Sequence, residues 1–167
     1  MSRNLRPLRL AAAACLALAT APAAALAQKA VFIVRHAEKA ADGSDKDIPL
    51  SDAGEARAKK LADLLASAGV TRIYSTDTVR TRATGEPLSA ASKVPIRIYA
   101  DNSALMAELR KEPDAVVLVV GHSNTVPGLI AALGVKQRVE IGDKDYGNLF
   151  VVVSGQSGEP TLLRLKY

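Results

Sequence analysis

Five apolar residues in a row, Val116-Val117-Leu118-Val119-Val120, restrict the architecture of this chain more than any other stretch. Four of the five are β-branched, and Gly121 ends the run. A strand without polar alternation has no face to give to water. It is expected to be covered on both sides, as in a parallel sheet between two layers of helices. Residues 30–34 read as a second buried strand of the same kind. The rest of the pattern agrees. Residues 51–68 read as a helix, with Ser51 as N-cap, Gly69 closing it, and Leu61, Leu64, Leu65 and Ala68 on one face. Strands are expected at 70–74 and 94–99. A helix should start near Thr78 with Pro87 restricting its continuation, and another should span 103–111 with Pro113 just beyond. Thr125 is placed to cap a helix through Leu133. Residues 149–153 and 161–165 flank a turn at 154–160, a terminal hairpin. Residues 40–49 are polar and read as an exposed loop. The expected fold class is α/β: a three-layer α/β/α sandwich in one domain, with a mostly parallel sheet and a C-terminal antiparallel hairpin.

The first 27 residues stand apart from this pattern. Arg3, Arg6 and Arg9 form a positive start, an alanine- and leucine-rich stretch follows, and Ala25-Leu26-Ala27 fits a small-x-small cleavage site. Residues 1–27 are expected to be a cleavable signal peptide and residues 28–167 the working domain, periplasmic or secreted. No stable membrane insertion is expected after cleavage. Loss of the three arginines lowers the formal charge from +5 to +2. With no tryptophan and two phenylalanines, that balance gives no support for nucleic-acid binding. The single cysteine, Cys15, leaves with the signal. The domain then has no disulfide, thiolate metal site or cysteine nucleophile.

The two histidines, His36 and His122, both follow apolar strand runs directly. In an open α/β sheet, ligands bind beyond the carboxyl ends of the strands. Arg35-His36, Ser75-Thr76 and Gly121-His122 are therefore expected at one crevice. Arg35 offers a permanent forked charge suited to phosphate oxygens. Arg80 would lie about one helical turn beyond a strand end, near the same mouth. Gly121, Ser123 and Asn124 leave backbone N–H groups accessible ahead of a helix. Two arginines and two imidazoles around one phosphoryl group would stabilise charge on its oxygens, which is most of what phosphoryl transfer requires. Ser123 and Asn124 read equally well as phosphate contacts or as capping residues, and Glu38 as a substrate-binding or catalytic group or as half of an ion pair with Lys39. No third ligand has metal-like spacing to the histidines, so no metal and no cofactor is expected.

Four segments, in order, resemble the histidine phosphatase superfamily, which includes the cofactor-dependent phosphoglycerate mutases. They are Arg35-His36-Ala37, Leu50-Ser51-Asp52-Ala53-Gly54, the stretch from Ser75 through Arg80 to Thr84, and Gly121-His122-Ser123. The resemblance implies a phosphoglycerate mutase-like fold and a metal-independent phosphatase. His36 would be the nucleophile, forming a phosphohistidine that water then hydrolyses. Arg35, Arg80 and His122 would make up the phosphate pocket. The expected partner is a small phosphorylated substrate or inorganic phosphate. The alternative is a catalytically weak module that binds phosphate or a phosphorylated glycan or lipid.

Two departures bear on the chemistry. Ala37 stands where the family motif has glycine. Many members also take a proton-donating glutamate from the segment between Arg80 and His122, which is short here. Glu38, Asp101 and Glu108 are the carboxylates considered for that role, with no choice among them.

Overall fold

The computed structural model describes residues 30–42, 45–154 and 159–167. The expected signal peptide and the centre of the expected hairpin turn, residues 155–158, lie outside the described residues. Among the described residues, no helix is long and apolar enough to cross a membrane.

Six strands and four helices follow one another as β1 (Ala30–Arg35), α1 (Asp52–Leu65), β2 (Arg72–Ser75), α2 (Val79–Ser92), β3 (Ile96–Ile98), α3 (Asn102–Arg110), β4 (Val116–Gly121), α4 (Val126–Ala132), β5 (Asn148–Val153) and β6 (Thr161–Lys166). They form one sheet in the order β3-β2-β4-β1-β5-β6. The first four strands are mutually parallel, and β5 and β6 close the sheet as an antiparallel pair.

Alternation along each strand divides the core in two. Ile33, Tyr74, Val117, Val119 and Phe150 meet Leu105, Leu109, Leu129 and Ile130 of α3 and α4. Val34, Ile73, Leu118, Val120 and Leu149 meet Leu61, Leu65 and Leu88 of α1 and α2 on the other face. The three-layer sandwich follows from those two contact sets. The run that suggested it, β4, is buried on both faces and lies between β1 and β2. Each fully buried leucine or isoleucine contributes about 1.5–3 kcal/mol of burial.

Three local expectations need correcting. α2 does not stop near Pro87; it runs through the proline to Ser92. The ring removes one intrahelical hydrogen bond, and the packing of Gly85 and Leu88 against the sheet holds the helix beyond it. Leu64 is half exposed, because the buried stripe of α1 runs through Gly54, Ala58, Leu61, Ala62 and Leu65 instead. Thr125 precedes α4 but makes no side-chain cap; its hydroxyl accepts the backbone N–H of His122 at 2.9 Å.

The registers position the chemistry. Arg35 lies opposite Gly121 on neighbouring strands, and the N–H of His36 donates to the Gly121 carbonyl at 2.9 Å. Ser75 lies opposite Val120, and Thr76 N–H donates to the Val120 carbonyl at 3.3 Å. Three strands thus end at one level, and the residue after each faces the same crevice.

Candidate active site

His36 leaves β1 on a segment tied at several points. The N–H of Ala37 donates to the Thr84 hydroxyl at 3.0 Å, and that hydroxyl donates to the Arg80 carbonyl at 2.8 Å. α2 therefore fixes the backbone beside the histidine as well as supplying Arg80. Ala37 is fully buried, so its methyl group is accommodated where the family motif has glycine. One residue on, the Glu38 carbonyl receives the Ser51 N–H at 2.9 Å, and Gly54 lies so close to that carbonyl that it has no room for a side chain. The Ser51 hydroxyl caps α1 by accepting from Gly54 N–H at 3.2 Å. The Leu-Ser-x-x-Gly stretch is thus a seat for the loop that carries His36.

The His36 ring is buried, and its Nδ1 lies 2.8 Å from the Ala37 carbonyl. A carbonyl can only accept, so Nδ1 carries the proton and Nε2 keeps a free lone pair. Burial, reinforced by the nearby charge of Arg35, His122 and Arg80, pushes this imidazole down to about 3, although the Ala37 hydrogen bond works against the shift. The ring stays neutral, with the Nε2 lone pair available. His122 stands edge-on to it, with ring centres 5.3 Å apart. Its Nε2 is hydrogen-bonded to the Thr76 hydroxyl at 2.8 Å, and burial followed by Arg80 and Arg35 pushes it down to about 4.

Both arginines are nearly buried and held by backbone carbonyls. Arg35 Nη1 donates to Gly142 and Asp143 at 2.7 and 2.9 Å, and Arg80 Nη1 donates to Asp45 at 2.8 Å. Tyr146 lies against the Arg35 guanidinium, 4.4 Å from ring centre to Cζ. Burial, followed by repulsion from Arg35, lowers the pKa of Arg80. The Nε–H groups of both arginines are buried with no hydrogen-bond partner among the described residues. Two unspent donors and unbalanced positive charge beside a bare imidazole nitrogen suit a tetrahedral oxyanion.

His36, Arg80, His122, Ser123 and Asn124 line one open cleft of about 420 Å3, with Lys39 and Asp143 at it as well. Arg35 adjoins it through His36. The structure thus brings together Arg35, His36, Arg80, His122, Ser123 and Asn124. It does not bring Glu38 there. Arg57 Nε donates to both Glu38 oxygens at 2.9 and 2.8 Å, and Nη2 adds a 2.6 Å contact. That fork holds the Glu38 carboxyl below its ordinary range. Asp101 caps α3 through the Ala104 N–H, and Glu108 pairs with Lys111 on a half-exposed face. None of the three lines the cleft. A separate apolar groove between α1 and α2, lined by Leu50, Ala58, Ala83 and Pro87, holds neither histidine. Among the described residues, no group of three His, Cys, Asp or Glu side chains is arranged to hold a metal.

Sequence reasoning gave no role to Tyr146 or Thr84 at the site. Tyr146 sits in a polar stretch that reads only as a turn bordering the pocket. Thr84 ended a matched segment, and its position one helical turn after Arg80 was the available signal.

The family model of the histidine phosphatase superfamily (branch 1) matches residues 31–101. No curated protein matches the chain. Its fold is similar to that of the protein histidine phosphatase SixA complexed with tungstate, with a TM-score of 0.68 and 24% identity over 82% of this chain and 96% of that one. It is similar also to a SixA structure from Agrobacterium tumefaciens (TM-score 0.62, 23% identity, 83% and 99% coverage). A mycobacterial glucosyl-3-phosphoglycerate phosphatase gives a TM-score of 0.65 at 16% identity, with 83% and 98% coverage.

Proposed function

We propose that this chain, whose residues 31–101 match the family model of the histidine phosphatase superfamily, is a phosphatase that hydrolyses a phosphomonoester or related phosphorylated compound through a phosphohistidine on His36. The observation that carries this reading is the hydrogen bond from His36 Nδ1 to the Ala37 carbonyl, which leaves Nε2 bare beside two arginines with unspent donors. Nε2 attacks phosphorus while Arg35, Arg80 and His122 hold the phosphoryl oxygens and absorb their charge. Ser123 and Asn124 complete the rim of the phosphate pocket. Water then attacks the phosphohistidine and returns Nε2 to its free state.

The reaction is read as metal-independent and as taking place outside the cytoplasm, on the reading of residues 1–27 as a cleavable signal. The substrate is read as small or as a phosphoryl group presented at an open mouth. Similar folds include one described as a protein histidine phosphatase and one as a glucosyl-3-phosphoglycerate phosphatase, so nitrogen- and oxygen-linked phosphoryl groups both merit assay.

The test is turnover of p-nitrophenyl phosphate and of phosphoramidate with chelator present, from acidic to neutral pH, with acid-labile phosphoprotein trapped by rapid denaturation. Turnover with a trapped phosphohistidine supports the enzyme. Saturable phosphate binding without turnover supports the second reading, a catalytically weak phosphate-binding module. That reading draws on the engagement of Glu38, Asp101 and Glu108 elsewhere.

A further inference from the structure

A phosphate ester with a poor leaving group needs a proton delivered as its P–O bond breaks. The three carboxylates nearest in sequence expectation are spent on Arg57, on the α3 cap and on Lys111. We propose that Asp143 is the catalytic acid, a reading that rests on the phosphatase function proposed above. Among the described residues, Asp143 is the only carboxylic acid lining the cleft of His36, Arg80 and His122.

Its placement is built rather than incidental. The Asp143 and Gly142 carbonyls both receive Arg35 Nη1, and Tyr146 of the same segment packs on the Arg35 guanidinium. The loop is therefore clamped to an arginine of the phosphate pocket. Sheet order brings it in beside β1 from the β5 side, while His122 lies on the β4 side. The loop thus reaches the cleft from the opposite side of β1 to the second histidine, not from the segment after α2. Asp143 is also exposed, so it can exchange its proton with solvent between turnovers.

The step balances. His36 Nε2 forms a bond to phosphorus, the P–O bond to the leaving group breaks, and its electron pair stays on the leaving oxygen. The carboxylic proton of Asp143 passes to that oxygen, giving the alcohol and a carboxylate. In the second half, the carboxylate takes a proton from the attacking water. The P–N bond breaks, inorganic phosphate leaves, and both His36 and the carboxylic acid are restored.

The experiment compares wild type, D143N, D143E and H36A on p-nitrophenyl phosphate, phenyl phosphate and glycerol phosphate. Asn keeps the backbone carbonyl that holds Arg35. The D143N loss in kcat/KM should grow as the leaving group worsens, from a few-fold on the nitrophenyl ester to roughly 100-fold or more on the alkyl ester. D143E should recover part of that loss, and H36A should lose all three esters alike. A D143N loss that is equal across the series, or absent, overturns the acid and leaves the nucleophile standing. A wild-type protein that hydrolyses none of the three overturns both.

Discussion

The Nδ1–H of His36 donates to the carbonyl of Ala37, its own neighbour in the chain, across 2.8 Å. The bond decides which ring nitrogen keeps its lone pair, and it does so without a carboxylate partner. Orientation depends on the Ala37 backbone, which Thr84 and Arg80 hold in turn.

Replacing His36 with alanine should abolish turnover, by roughly 10³-fold or more, as expected for a nucleophile whose removal disables the whole unit. Circular dichroism should be unchanged, since the apolar clusters on the two faces of the sheet are built from other side chains. Full activity of the variant on the true substrate would remove His36 from the mechanism.

The two histidines set a pH signature. In the native state they protonate near 3 and 4, against about 6.5 in the unfolded chain. Between those values the unfolded chain binds more protons. Native stability should hold above about pH 6.5 and fall as pH drops toward 4 and 3, with a slope of up to about 1.4 kcal/mol per pH unit from His36. The free-enzyme kcat/KM should nevertheless persist below pH 6.5, because His36 remains neutral. Urea midpoints and rate profiles taken together check this; activity that titrates away near pH 6.5 would contradict it.

Arg35 and Arg80 repel one another in a buried setting, and an oxyanion relieves that repulsion. Inorganic phosphate or vanadate should raise the melting temperature, with about 2.7 kcal/mol of stabilisation at 100 times Kd. R80A should lose most of this shift and weaken inhibition by phosphate. Differential scanning fluorimetry across a phosphate titration reads both; an equal shift in R80A would place the anion elsewhere.

Gly54 should tolerate no side chain. A Cβ there collides with the Glu38 carbonyl, which is backbone and cannot turn away. Gly54→Ala should cost about 1–3 kcal/mol, in the range of overpacking, and reduce kcat by shifting the loop that bears His36. A chemical denaturation curve and a kcat measurement on the same preparation provide the check. A variant as stable and as active as wild type would show that the loop yields.

Period and punctuation made much of this legible in advance. The unbroken β4 run announced a strand covered on both faces, and two histidines at the ends of apolar runs announced their meeting once the sheet was parallel. The missed features depend on partners far apart in sequence. Nothing in Glu38-Lys39 shows that Arg57, nineteen positions on and one turn into α1, takes the Glu38 carboxylate. Nothing in a polar turn shows that Tyr146 lies against Arg35. Leu64 was grouped with Leu61, Leu65 and Ala68 on one face by spacing, whereas the angular position of Ala58 and Ala62 decides which side of α1 is buried. Pro87 was read as a local stop, and tertiary packing overrode it.

The pairing of Arg35 with Gly121, and of His36 N–H with the Gly121 carbonyl, fixes the backbone spacing of the two histidines through the central ladder itself. On heating, catalytic competence and cooperative melting should therefore disappear together, without an inactive but folded form at lower temperature.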